Sequence, residues 1–172
     1  MCDIRLSHAL VAGLDSIFFE ASATRQFNSA EVQAAFRQRW LGTYLDHRRE
    51  HGFVALGQDG APLGYLVGSL DDPAHDPLQA EIGYFRDLAS YTRHYPAHLH
   101  VNLAPHARSR GLGARLVEAF CAHAGAAGVA GVHVVTGEGM RNVRFYERMG
   151  FSQIVRFDWS GRGLLMLGRK LG

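Results

Sequence analysis

The segment His98-Leu99-His100-Val101-Asn102-Leu103-Ala104-Pro105-His106-Ala107-Arg108-Ser109-Arg110-Gly111-Leu112-Gly113-Ala114-Arg115-Leu116-Val117-Glu118-Ala119-Phe120 changes its hydrophobic period once, and that change decides the fold. From His98 to Leu103 the period is two. An extended strand would therefore present His98, His100 and Asn102 on one face and Leu99, Val101 and Leu103 on the other. Pro105 stops the strand, a turn with two glycines follows, and Leu112, Leu116, Val117 and Phe120 then recur at helical spacing. At such a helix start the first N–H groups lack intrahelical acceptors and the dipole is positive. Gly111 and Gly113 have no Cβ, so a pyrophosphate can come close to the main chain, and Arg108 and Arg110 add positive charge where phosphates would lie.

Working outward, the helix runs to about Ala124 and is followed by a strand at Val132–Val135 and a helix at Met140–Met149. Strands near Phe151–Val155 and Leu164–Leu167 complete the C-terminal half. Upstream, Ile4-Arg5-Leu6 is a short candidate first strand, and Leu10, Leu14, Ile17 and Phe18 mark a helix from about His8 to Ala21. A second helix is expected from Asn28, with Glu31 completing a capping box, a stripe of Val32, Phe36, Trp40 and Tyr44, and Gly52 as its end. Phe53–Leu56 and Leu63–Leu70 read as an antiparallel hairpin around Gln58-Asp59-Gly60-Ala61-Pro62. Residues 71–97 are the least regular and hold Tyr84, Phe85, Tyr91 and Tyr95 among charges; long connections of this kind are often functional.

A chain of 172 residues fits one domain, spanning 1–172, with one sizeable core. The formal charge of +2 is too small to argue for nucleic acid. Cys2 and Cys121 read as reduced thiols, and neither a signal peptide nor a membrane-length apolar run is visible, so no membrane partner and a cytoplasmic location are the expectations. His47-Arg48-Arg49-Glu50-His51 has the spelling of a zinc-protease helix, but Gly52 follows at once and no third ligand is suggested; a solvated helix end is the better reading, and no metal is expected. Arg37, Arg39, Arg48 and Arg49 are interspersed with Glu31, Asp46 and Glu50, which favours a solvated face over a basic patch. Leu164-Leu165-Met166-Leu167 fits either a buried last strand or the edge of a homodimer.

Three anion sites compete for the glycine turn. A P-loop needs a Gly-Lys-Ser/Thr ending, which is missing, and a Rossmann turn needs a third small residue where Leu116 stands. What remains is Arg-x-x-Gly-x-Gly/Ala at Arg108, Gly111 and Gly113, preceded by Pro105, and it resembles the signature of the GNAT N-acetyltransferase superfamily. Phe145-Tyr146-Glu147-Arg148-Met149-Gly150-Phe151 stands at a fitting distance and resembles the family's second block, so the likeness spans about residues 98–155.

The resemblance implies an α/β (α+β) fold with a mixed, mostly antiparallel sheet of six to seven strands flanked by about four helices. It implies acetyl-CoA as co-substrate and an amine as acceptor, either a small molecule or a peptide. Cofactor contacts would come from Asn102, Leu103, Ala104, Arg108, Ser109, Arg110, Gly111, Leu112, Gly113, Ala114, Asn142 and Tyr146, with Tyr146 as general acid. A backbone N–H near Leu103 would face the thioester carbonyl. The position where many members carry an asparagine, seven residues before the tyrosine, is Gly139 here. The strand Ala97-His98-Leu99-His100-Val101 is similar to the paired-histidine strand of aralkylamine N-acetyltransferases, which makes His100 and His98 the candidate proton acceptors, His100 foremost. An unperturbed imidazole near pKa 6.5 suits that task. The wording His-Leu-His-Val-Asn is also similar to bacterial relatives of the acetyltransferase-like domain of O-GlcNAcases, some of them inactive, so a silent acetyl-CoA-binding or partner-binding protein is the alternative.

Overall fold

The computed structural model describes residues 7–22, 24 and 26–172. The expected strand at Ile4–Leu6 lies outside them. Helix α1 (His8–Ala21) starts at Ser7, whose hydroxyl accepts from the Leu10 N–H, and buries Leu14, Ile17 and Phe18. Helix α2 (Ala30–Arg37) is capped by Ser29, which accepts from Val32 N–H. The cap is thus one residue later than Asn28, and Val32 is exposed rather than part of a buried stripe.

The expected single helix to Gly52 is also broken up. A π-helical turn at Gln38–Gly42 follows α2, then α3 (Thr43–His47), then a 3₁₀ turn at Arg49–His51. The apolar residues Val32, Phe36, Trp40 and Tyr44 are spaced by four, which on an α-helix drifts about 40° per step. A wider π turn takes up that drift, and Leu41, Tyr44 and Leu45 end up buried against the sheet.

Strands β1 (Phe53–Leu56) and β2 (Pro62–Ser69) form the expected hairpin. The segment after β2 is not an open loop. It contains a 3₁₀ turn at Pro77–Gln79 and two short helices, α4 (Tyr84–Asp87) and α5 (Ala89–Thr92), and buries Ile82, Tyr84, Phe85 and Leu88 against Met166. Then come β3 (Ala97–Leu103), α6 (Leu112–Ala126), β4 (Gly131–Gly137), α7 (Arg141–Arg148), β5 (Ser152–Trp159) and β6 (Arg162–Lys170). The last two strands are longer than their apolar centres suggested, because Ser160 and Gly161, at φ 50° and 74°, close a two-residue hairpin.

Among the described residues six strands form one sheet in the order β1-β2-β3-β4-β6-β5, antiparallel except for β3 and β4. Strand β6 lies inside the sheet, with Met166 and Leu167 fully buried, so the Leu164–Leu167 run is a buried strand and not an edge. One face carries α6 and α7 over Leu66, Leu99, Val132 and Leu167, with Phe120 of α6 buried among them. The other carries α1 and α3 over Tyr65 and Val67. A Cβ on Gly68 would lie 2.4 Å from the His98 carbonyl and 2.7 Å from the Phe120 ring, so a bare backbone there lets α6 seat on β2.

Candidate active site

Strands β3 and β4 pair only at Ala97 with Val132 and at His98 with His133. Beyond that point β3 continues to Leu103 bonded to β2 alone, while β4 continues to Gly137 bonded to β6. The two strands therefore diverge, and their facing edges carry backbone groups with no partner strand. Direction can be read along β3: the Ala104 N–H donates to the Leu63 carbonyl at 2.9 Å, toward β2. Successive N–H groups alternate sides in extended chain, so Leu103 N–H points into the divergence.

The glycine turn sits at the end of β3. Ser109 and Gly111 hold left-handed backbone, φ 62° and 74°, a turn geometry that converges successive N–H groups. From Ser109 to Ala114, none of the six backbone N–H groups bonds to another described residue. Arg108, Ser109 and Arg110 are exposed beside them, with Arg108 Nε donating to the Leu103 carbonyl at 3.2 Å. The two glycines serve different purposes. A Cβ on Gly111 would meet nothing within 4 Å, so the space in front of it is open and its φ is the reason for glycine. A Cβ on Gly113 would lie in ordinary contact, at 3.4 Å, with Leu103 and Phe145, so this position faces the packed strand and helix rather than open space.

Tyr146 projects from α7 into the core between Phe145 and Phe151, with ring centroids at 5.1 Å and 5.5 Å. Burial raises its pKa, so the phenol stays protonated. Its hydroxyl bonds to no described residue, yet it is not enclosed. Asn142, at the start of α7, accepts from Thr136 Oγ1 at 2.9 Å near the end of β4, which leaves its amide nitrogen unengaged at the mouth of the divergence. Asn102, expected as a cofactor contact, spends its side chain on the Tyr65 hydroxyl at 2.8 Å.

The alternation of β3 holds: Leu99 packs under α6, while His98 and His100 face α3. Their titration differs from expectation. Burial and the neighbouring His133 push His100 down to about 4, and burial with the same neighbour holds His98 well below its ordinary value. Both are neutral near pH 7, so neither stores a proton there. Trp40, set by the π turn, lies edge-on to His100 with centroids 5.5 Å apart. Tyr44, Trp40 and His133 were not singled out in the sequence as site residues; Tyr44 and Trp40 read as helix stripe and His133 as part of a strand. Glu81 pairs with Arg39 at 3.0 Å, an exposed link between the π turn and the segment after β2. Arg37 likewise pairs with Asp15, and Arg48 with Asp71 and Asp76, so these arginines form no free basic patch. His51, part-buried in the 3₁₀ turn, has its Nδ1 2.9 Å from His123 Nε2, so this residue is not the solvated helix end expected.

The sequence profile of the Acetyltransferase (GNAT) family matches residues 16–151. Among solved structures, the crystal structure of SsHAT superposes with a TM-score of 0.74 at 25% identity, covering 95% of this chain and 94% of that one. A phosphinothricin acetyltransferase from Sinorhizobium meliloti in complex with AcCoA gives 0.60 at 20% identity, over 95% of this chain and 86% of that one. Naa20 from Chaetomium thermophilum in complex with a bisubstrate analogue gives 0.61 at 21% identity, over 91% and 81%. The latter two likenesses show a shared fold.

Proposed function

The chain belongs to the GNAT acetyltransferase family, and from that premise we propose that it binds acetyl-CoA across the β3/β4 divergence and transfers the acetyl group directly to an amine. One observation carries the reading: six consecutive unpartnered N–H groups, flanked by Arg108 and Arg110, stand where a strand pair opens and leaves Leu103 N–H without an acceptor. A pyrophosphate satisfies the first set and an extended amide chain satisfies the strand edges. The acetyl-CoA-bound and bisubstrate-bound relatives of the same fold support that ligand class.

The thioester supplies an activated acyl carbon and a thiolate leaving group. The chain's own residues do the rest. Leu103 N–H is placed to donate to the acyl oxygen, where negative charge grows during attack. Tyr146, kept protonated by burial, donates to the departing sulfur. His100, neutral and half-buried, accepts the N–H of the attacking amine and passes the proton on to solvent, because a site held near pKa 4 does not retain it. One proton leaves nitrogen and one reaches sulfur, so the sum is amide plus thiol. The acceptor in this reading is a small-molecule or peptide amine entering beside Trp40 and His100.

The test is release of free coenzyme A from acetyl-CoA over a panel of small and peptide amines, with mass detection of the acetylated product. Tyr146→Phe should lower kcat about 10²-fold, the scale of a general acid, while acetyl-CoA affinity stays within a few-fold. Acetyl-CoA binding with no turnover across the panel would replace this reading by that of a silent binding protein.

A further inference from the structure

Tyr44 is almost completely buried, and its hydroxyl lies 3.0 Å from His98 Nε2 and 3.2 Å from His100 Nε2. A hydroxyl carries one proton. It can donate to one imidazole and accept from the other, or accept from both with its own proton turned toward Gln79, the remaining polar side chain beside it. The direction is decided at the far side of His98. There Nδ1 is enclosed and bonded to nothing, and the ring feels the Pro96 carbonyl, a group that only accepts. His133, with its ring centroid 5.7 Å from that of His98, is fixed independently. Its Nδ1 meets the Tyr95 carbonyl and so carries the proton, which leaves an enclosed lone pair on Nε2. A lone pair on the enclosed His98 Nδ1 would face the Pro96 carbonyl, a second acceptor, whereas a proton there is complementary to it.

The chain of consequences runs outward. His98 carries its proton on Nδ1, its Nε2 accepts from the Tyr44 O–H, and the Tyr44 oxygen accepts from His100 Nε2–H. His100 Nδ1 is then the bare nitrogen, and it is the one with no described partner and no enclosure. We propose that Tyr44 is a positioning residue which, anchored through His98, fixes the tautomer of His100 so that its unprotonated Nδ1 is the atom offered to the acceptor amine. The charged and titratable groups around this triad are Tyr84, Asp72, Asp76 and Arg48. Arg48 is paired with Asp76 at 3.4 Å and with Asp71 at 3.0 Å, and with Asp72 the surroundings carry a net negative charge, which does not favour a further lone pair inside the triad.

The catalytic use of Nδ1 rests on the amine-transfer reading, while the tautomer itself does not. Long-range ¹H–¹⁵N correlation on histidine-labelled protein, with signals assigned through His100→Gln and His98→Gln, separates the two. In the wild type, His100 should show its proton on Nε2, and His98 and His133 theirs on Nδ1. In Tyr44→Phe, His100 should become a mixture of tautomers, with kcat for the best amine at least tenfold lower and acetyl-CoA affinity unchanged within twofold. A wild-type His100 protonated on Nδ1 overturns the proposal, and that spectrum decides the matter even where Tyr44→Phe does not fold. An unchanged His100 tautomer in a folded Tyr44→Phe, or an unchanged kcat, overturns it equally. Failure of every amine to react would sink the transfer reading and leave the tautomer result standing.

Discussion

Lowering the pH from 7 to 5 should cost this fold several kcal/mol, because His98 and His133 are buried in neutral form. His133 is fully enclosed, and burial holds it at about 4 against 6.5 in an unfolded chain. As pH falls through 6.5 the unfolded chain takes up a proton that the folded one refuses until about 4. Stability therefore rises with pH across that window and is fully present above it. At pH 5 the linkage for such a group is about 2 kcal/mol. His98 is depressed in the same direction by burial and adds to a loss that is already a sizeable share of the roughly 5–15 kcal/mol that holds a domain folded. His100, also pushed down to about 4, adds in the same sense. Urea denaturation at pH 7 and pH 5 reads the difference, with the m-value checking that the same cooperative unit unfolds. His133→Asn keeps a donor near the Tyr95 carbonyl and removes the titration, so its stability should be lower at pH 7 but fall about 2 kcal/mol less on going to pH 5. A wild type equally stable at both pH values, or a variant with an undiminished drop, would refute the claim that these rings are held neutral by burial.

Two further substitutions separate site from scaffold. Gly111→Ala places a Cβ on left-handed backbone at φ 74° in open space, so it should lose about 1–2 kcal/mol of stability in urea and weaken acetyl-CoA binding measured by calorimetry. Phe120→Ala empties the centre of the α6 face, where the ring is fully buried, and should cost about 3–5 kcal/mol in thermal or urea unfolding without changing the acetyl-CoA affinity of the protein that remains folded.

Some of this was legible in the sequence and some was not, for physical reasons. The switch from period two to helical period at Pro105 located β3, the turn and α6, because those patterns are local. The same locality made the alternation of His98, His100 and Asn102 readable. The π turn was misread as plain helix: spacing by four is compatible with an amphipathic helix, and only packing against the sheet shows the drift that Gln38–Gly42 absorbs. The hydrogen bond from Asn102 to Tyr65 was not readable, because its partner is 37 residues away on a neighbouring strand. The depressed histidines were invisible for a similar reason. Tyr44 lies 54 residues from His98, and His133 joins them only through the single parallel pairing of β3 with β4. At Gly113 the sequence suggests room for a phosphate, whereas the Cβ position there faces the Leu103 and Phe145 side chains, which come from distant elements.

The central claim is that the opened β3/β4 pair and the α6 start hold acetyl-CoA. Isothermal titration of the folded protein with acetyl-CoA, paired with its unfolding temperature, tests that directly. The account predicts one saturable site per chain, a rise in stability of about 2.7 kcal/mol at a hundred times Kd, and weaker binding in Arg108→Ala and Gly111→Ala. No heat of binding and no shift in unfolding temperature, in protein shown to be folded, would contradict it.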